Sequence, residues 1–124
     1  MIGYVTLGTN DIAKAAEFYD ALLALLGGKR FMESDSFIAW SAGPEQAGVC
    51  IAKPFNGEPA TVGNGVMIAL MAESNDKVDE IYKKAIELGA QDEGPAGPRG
   101  DLEGFYAGYF RDLDGNKLNV FHMP

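Results

Sequence analysis

Apolar positions follow strand and helix spacings in an order that occurs twice along the chain. The run from Ile2 to Leu7 is rich in strand formers, and Asn10 or Asp11 can cap the helix that follows it. Apolar residues then recur at helical spacing until Gly27 and Gly28 end the pattern. Three short strands are predicted next, over Lys29 to Glu33, Phe37 to Ser41 and Val49 to Lys53.

The second half repeats this order after a connector rich in proline and glycine. Gly65 to Ala72 is an apolar strand, and Ser74 is a suitable cap for a helix that ends at Gly89. A brief strand is predicted from Gln91 to Glu93, before a loop over residues 94–104. Two further strands, Phe105 to Arg111 and Lys117 to His122, form a predicted hairpin across the turn at residues 112–116.

A shift of 63 residues superposes the two halves without a gap through the first strand and helix. Tyr4 then falls on Met67, Leu7 on Leu70 and Tyr19 on Tyr82. This match predicts an internal duplication of a βαβββ unit of about sixty residues. We expect an α+β fold in a single domain over residues 1–124. Module 1 spans about residues 1–53, the connector 54–64 and module 2 about 65–124.

Charge and hydropathy narrow the classes of partner and location. Eighteen acidic residues against ten basic ones leave a formal net charge of -8, which argues against nucleic acid or an anionic membrane surface as a partner. No apolar run approaches the length of about 18 residues that a membrane span needs, and no secretory signal is present. A cytoplasmic protein is therefore expected.

Few residues in the chain suggest catalytic chemistry. Cys50 lies in an apolar strand and is expected in the core, while His122 cannot form a site that needs two histidines. The segment Asp112 to Asn116 predicts a tight turn, because its glycine is the fourth residue where a calcium loop has it sixth. The glycine-rich loop over 94–104 is expected to be either a mobile flap over a pocket or a plain surface loop.

Aromatic residues are the more informative group. Seven of them lie on predicted strands: Tyr4, Phe37, Trp40, Phe105, Tyr106, Tyr109 and Phe121. They can fill the core of a small sheet protein, or some of them can line a cleft on the face that carries no helix. The pattern leaves both possibilities open.

Three stretches of the chain resemble a known family. They are the opening Tyr4 to Asp11, the Phe18-Tyr19 pair, and the segment Phe105 to Leu118 with its Arg-Asp-Leu-Asp-Gly-Asn turn. They look like the vicinal oxygen chelate superfamily, which includes glyoxalases, bleomycin-resistance proteins and extradiol dioxygenases. The resemblance covers essentially the whole chain. It implies two tandem βαβββ modules that form an open, curled mixed sheet around a cleft, commonly in a homodimer.

The resemblance also implies where a divalent metal ion would lie in metal-using members. Histidine, glutamate or glutamine from the first and last strands of each module hold it. The matching first-strand positions here are Tyr4 and Met67, and the last strand of module 2 carries Asn119. The last strand of module 1 offers no such ligand. Tyrosine and asparagine are poor ligands and methionine is soft, so we expect no metal site and predict no cofactor.

Strand alternation extends this expectation to the lining of the cleft. If Tyr4 faces the cleft, Thr6 faces it as well, and Asn119 does so with Phe121 and Lys117. Arg99 and Arg111 can supply a cation at the rim. The expected ligand-binding residues are Tyr4, Thr6, Trp40, Met67, Arg99, Tyr106, Tyr109, Asn119 and Phe121.

We therefore expect a glyoxalase- or bleomycin-resistance-like protein that binds a small, partly apolar molecule without a metal ion, as a homodimer. One alternative is a metal-dependent lyase or isomerase of the lactoylglutathione lyase type with an atypical ligand set, such as Tyr4, Asn119 and water. Another is a dimeric interaction module without a ligand. Catalytic residues are not assigned by the sequence.

Overall fold

The computed structural model describes all 124 residues of the chain. It contains two compact units, Met1–Val62 and Gly63–Pro124. Each unit holds one helix and one four-stranded mixed sheet in the order βαβββ, so the predicted α+β fold of two related modules is confirmed. No helix is long and apolar enough to cross a membrane.

The elements of the first unit are β1 (Tyr4–Gly8), α1 (Ile12–Ala24), β2 (Lys29–Glu33), β3 (Phe37–Ser41) and β4 (Gly48–Ala52). Its strands form one sheet in the order β1-β4-β3-β2. Strands β1 and β4 are parallel, and the other neighbours are antiparallel. The sheet therefore places the first and last strands of the unit side by side.

Helix α1 begins and ends where its sequence favours. The side chain of Asp11 accepts a hydrogen bond from the amide of Lys14, which satisfies one of the free amides of the first turn. Gly27, with a φ of +79°, follows the last turn in the left-handed region that suits glycine. Between these ends, an apolar stripe is buried against the sheet, and Leu22 and Tyr19 are fully inaccessible to solvent.

The elements of the second unit are β5 (Ile68–Met71), α2 (Asn75–Glu87), β6 (Gln91–Pro98), β7 (Tyr106–Arg111) and β8 (Lys117–His122). They repeat the arrangement of the first unit, with the strand order β5-β8-β7-β6. Ser74 caps α2 through the amide of Lys77. Val78, Ile81 and Ala85 of this helix are completely buried.

A carboxylate organises the turn between β7 and β8. Asp112 is buried, and its Oδ1 accepts hydrogen bonds from the amides of Asp114 and Asn116, each at 2.9 Å. Its Oδ2 accepts a further bond from the Asn116 side chain at 3.0 Å. Gly115 has a φ of +90°, which the turn requires. The predicted tight turn is confirmed by this network.

Strands β5 and β6 differ most from the boundaries predicted for them. Strand β6 continues to Pro98, so the predicted loop over 94–104 is wrong for its first five residues. Glycine and proline residues indicate a loop, but the backbone of this segment pairs with β7. The pairing has two register shifts, one on each side of Gly94, whose φ is +150°. Strand β5 starts only at Ile68, which leaves Met67 just outside it.

Helix α2 lies very close to β7 because Gly108 has no side chain. A Cβ atom built at Gly108 would lie 2.8 Å from Cδ1 and 3.1 Å from Cβ of Tyr82. Tyr82 cannot easily move aside, since its hydroxyl donates a 2.7 Å hydrogen bond to Asp92. The contact between the helix and the sheet thus depends on this glycine.

Replacement of Gly108 by alanine is expected to lower the free energy of unfolding by about 1–3 kcal/mol, the usual cost of overpacking a closely packed contact. Gly100→Ala is the matched control, because a Cβ there meets nothing within 4 Å and should change stability by less than about 0.5 kcal/mol. Urea titration of both variants measures the difference. Equal stability of the two variants would contradict the role given to Gly108.

Candidate functional site

The hairpin of β7 and β8 divides its side chains between two faces of the second sheet. On one face, Tyr106 donates a 2.6 Å hydrogen bond to Asp79 of α2, and His122 Nδ1 lies 3.0 Å from Asn75 Oδ1 at the start of the helix. The register pairs Tyr109 with Asn119 and alternates with these positions. Tyr109 and Asn119 therefore belong to the opposite face, which α2 does not cover.

This helix-free face carries two cations that contact one tyrosine ring. The Arg99 Cζ atom lies 5.2 Å from the centroid of the Tyr109 ring, and Lys117 Nζ lies 5.7 Å from it. Both distances are within the range of cation–π attraction. Phe121, on the same face, stacks on Phe105 with ring centroids 5.6 Å apart. The face thus combines aromatic surface with positive charge.

Asn119 is the unusual residue of this face. It is only 2% exposed, and its Oδ1 atom is buried without a hydrogen-bond partner. A buried acceptor without a donor costs roughly 1–3 kcal/mol, so native proteins keep few of them. A ligand with a hydroxyl or N–H group can provide the missing donor. Asn119, one of the residues predicted to bind a ligand, therefore presents an acceptor that its own chain leaves unpaired.

The remaining charges of the face are largely neutralised. The guanidinium of Arg111 forms an ion pair with Glu93 and also donates to the backbone oxygen of Gly115 at 2.9 Å. The other carboxylate of β6, Asp92, is held by Tyr82 on the helix side. That hydrogen bond lowers the pKa of Asp92, while burial and the bond together raise the pKa of Tyr82 to about 12.

In the first unit, the helix-free face is exposed where β1 begins, and aromatic side chains lie there. Tyr4 is 61% exposed, and Thr6 is exposed beside it. The side chains of Phe31 and Tyr4 lie close to Gly48. A Cβ atom added at Gly48 would lie 3.3 Å from the Phe31 ring and 3.4 Å from the Tyr4 Cβ. A pocket of about 440 Å³ opens here, lined by Gly3, Lys29, Arg30, Phe31, Ser41, Gly43, Pro44, Gln46 and Gly48.

Two predicted site residues lie on the helix sides of their sheets. Trp40 is 2% exposed and donates a 2.8 Å hydrogen bond from its indole nitrogen to Asp20 of α1. Tyr106 is held by Asp79, and this hydrogen bond raises the pKa of the Tyr106 hydroxyl. Trp40 is therefore part of the core of the first unit, whereas Tyr106 is half-buried and contacts α2. They do not join Tyr109 and Asn119 on the helix-free face.

The other predicted residues are placed as follows. Thr6 and Tyr4 lie on the helix-free face of the first unit, and Arg99, Tyr109, Asn119 and Phe121 on that of the second. Met67 is 39% exposed at the entrance to β5. Lys117 was not among the predicted binding residues, although its spacing of two from Asn119 places both on one face. Cys50 is 1% exposed, and burial raises the pKa of its thiol.

The residues at the expected metal positions do not fit a hard divalent ion. The second unit offers one amide oxygen, from Asn119, and the first offers the phenol of the exposed Tyr4. No group of three or more His, Cys, Asp or Glu side chains is arranged to hold a metal ion. Zinc is bound by a set of His, Cys, Asp or Glu side chains, and calcium or magnesium by several oxygen ligands.

Comparison with known proteins agrees with this architecture. Residues 1–120 match the model of the Glyoxalase/Bleomycin resistance protein/Dioxygenase superfamily. A crystal structure of a glyoxalase/bleomycin resistance protein from Albidiferax ferrireducens is 35% identical with a TM-score of 0.90, over 100% of this chain and 99% of that one. The resemblance seen in the sequence is thereby confirmed. Among curated proteins, none matches this sequence.

More distant structures share the fold. A hypothetical protein from S. aureus is 26% identical with a TM-score of 0.75, over 98% of this chain and 92% of that one. Lactoylglutathione lyase from Agrobacterium tumefaciens is 20% identical with a TM-score of 0.71, over 98% and 92% of the two chains. At this identity, the similarity to the lyase concerns the fold alone.

The Asp20 carboxylate that holds Trp40 gives a prediction for pH dependence. Its hydrogen bonds from Arg30, at 2.7 and 2.9 Å, and from Trp40 lower its pKa. Because its pKa is lower in the folded protein than in the unfolded chain, the ionised carboxylate stabilises the fold at a pH above the unfolded-state pKa of about 3.9. This stabilisation is lost as the pH falls through the folded-state pKa. Since the Asp20 side chain is 44% exposed, solvent screening limits it to about 1 kcal/mol.

We expect Asp20→Asn to lower the free energy of unfolding by about 1 kcal/mol at pH 7 and by progressively less below about pH 4. Urea titrations followed by the fluorescence of Trp40, the single tryptophan, measure both values. Asp35→Asn removes the same charge from an exposed turn without an ion pair and serves as the control. A deficit that stays constant down to pH 2.5 would rule out the proposed contribution.

Proposed function

Because this chain belongs to the Glyoxalase/Bleomycin resistance protein/Dioxygenase superfamily, we propose that it binds a small, partly apolar molecule without a metal ion. The binding surface is the helix-free face of the second unit, formed by Arg99, Tyr109, Lys117, Asn119 and Phe121. The observation that carries this proposal is the buried Oδ1 atom of Asn119, which has no partner within the protein.

The chemistry of the face favours binding over proton transfer. A general base needs a group that is free to accept a proton. Glu93, the carboxylate on this side of the strands, is committed to Arg111, and the single imidazole of the chain, at His122, lies on the helix side near Asn75. Aromatic surface around Tyr109 and Phe121 instead supplies the apolar contact that a small ligand needs.

Replacement of Asn119 tests the proposal through two opposite effects. Asn119→Leu keeps the branching of the side chain and removes the unsatisfied oxygen. We therefore expect the free energy of unfolding without ligand to stay equal or to rise by up to about 1 kcal/mol. Compounds that stabilise the native protein in a thermal-shift screen should bind this variant at least about ten-fold more weakly, since one buried hydrogen bond is lost.

Asn116→Leu is the matched control for this substitution. Its amide donates to Asp112 at 3.0 Å, so the same replacement should lower the free energy of unfolding by about 2 kcal/mol. A comparable loss in Asn119→Leu would mean that Asn119 is already satisfied. A thermal-shift screen with no stabilising compound would count against a binding function altogether.

Independence from metal ions is tested on protein purified without an affinity tag. We expect elemental analysis to find well below one equivalent of zinc, nickel, iron or manganese, because the ligand set around Asn119 is too small to retain one. EDTA should leave the affinity of the compounds from the screen unchanged. A stoichiometric metal together with EDTA-sensitive turnover of a glutathione hemithioacetal would favour the lyase alternative instead.

A further inference from the structure

The two cations beside Tyr109 have no acidic partner. Neither Arg99 nor Lys117 forms an ion pair. In a protein with a net charge of -8, two neighbouring cations without a carboxylate are unexpected on general grounds, since exposed cations readily find acidic neighbours. Their positive charges are available to a bound anion.

The Arg99 guanidinium is held in place by backbone oxygens. Its Nη2 donates to the carbonyl of Pro95 at 2.7 Å and to that of Gly94 at 3.3 Å, and its Nη1 donates to its neighbour Pro98 at 3.3 Å. Gly94 permits this approach, because a Cβ there would lie 3.3 Å from Arg99 Nη2. Carbonyl groups orient the side chain without neutralising it. The cation is therefore preorganised, which reduces the entropy lost on binding a ligand.

Asn119 and the cations make complementary demands on one ligand. The cations attract a negative group, whereas the free Oδ1 atom of Asn119 needs a hydrogen-bond donor. Tyr109 links the two, since its ring contacts both cations and its backbone pairs with Asn119 across the hairpin. A ligand with an anionic end and a nearby hydroxyl or N–H group satisfies all of these positions.

We propose that the ligand is an organic monocarboxylate that carries a hydroxyl or N–H donor and an apolar or aromatic body. The carboxylate lies near Arg99 and Lys117, the donor reaches Asn119, and the apolar body covers Tyr109 and Phe121. This inference rests on the proposed function and specifies the ligand class of the same face. A single negative charge fits better than several, because the overall charge of -8 repels polyanions.

Matched acids and amides test the inference directly. Mandelate and 4-hydroxyphenylacetate are compared with mandelamide and 4-hydroxyphenylacetamide, which keep the ring and the hydroxyl but lack the charge. Calorimetric titration of the full chain in 20 mM salt should show each acid binding at least ten-fold more tightly than its amide. Raising the salt to 200 mM should weaken the acids several-fold and leave the amides unchanged.

Lys117→Gln tests whether the charge at this position contributes to the binding of the acids. The substitution is suitable because the Lys117 side chain makes no hydrogen bond whose loss would disturb the fold. We expect a three- to ten-fold loss of acid affinity and a clearly smaller loss for the amide. Lys83→Gln, on the exposed side of α2, removes the same charge from the same unit and should leave both affinities unchanged. Arg99→Lys should retain most of the preference for the acid, and Arg99→Gln should lose it.

The outcomes separate this inference from the proposed function. Equal binding of acid and amide, an unaffected Lys117→Gln variant, or screening compounds that are all neutral would overturn the carboxylate inference and leave metal-free binding intact. Failure of every acid, amide and screening compound to bind would overturn both. Acid binding that Lys83→Gln weakens as much as Lys117→Gln would show a nonspecific charge effect and also refute the inference.

Discussion

Each unit has one helix for a sheet of four strands, and one helix can bury only one face of such a sheet. In both units the helix contributes fully buried residues, such as Leu22 in α1 and Val78 in α2. Strand side chains alternate, so every second one must point away from this core. The exposed Tyr4, the unpaired Oδ1 atom of Asn119 and the cations beside Tyr109 all lie on faces that the helices do not cover.

Polar side chains on the two faces of the second sheet differ in whether they have hydrogen-bond or ion-pair partners. On the helix side, the polar side chains have partners, with Tyr106 held by Asp79 and Tyr82 by Asp92. On the other side, the buried Oδ1 atom of Asn119 lacks a donor, and Arg99 has no ion pair, although backbone carbonyls hold its guanidinium. Unsatisfied groups reduce stability, and their concentration on one face is the physical argument for the binding surface that we propose there.

The polar residues before the helices predicted the cap at Ser74 and either Asn10 or Asp11 as the cap of α1, where the structure has Asp11. Periodicity was sufficient to predict the modules and the shared face of Lys117, Asn119 and Phe121 on β8. It was insufficient where a strand has aromatic residues on both faces. Strand β7 carries Tyr106 and Tyr109 on opposite sides, and only contacts with α2 show which of them faces the helix. Trp40 is likewise placed by its distant partner Asp20. Such choices depend on tertiary contacts, which local spacing does not encode.

The turn at Asp112 has a consequence beyond closing a hairpin. Its buried carboxylate fixes the number of residues between β7 and β8, and with it the pairing of Tyr109 with Asn119. Side chains in a strand alternate with a period of two, so the loss of one turn residue would exchange the faces of β8. Leu118 and Val120 would then lie on the helix-free face, and Lys117 would point toward α2. A turn outside the proposed binding surface thus determines which atoms the helix-free face presents.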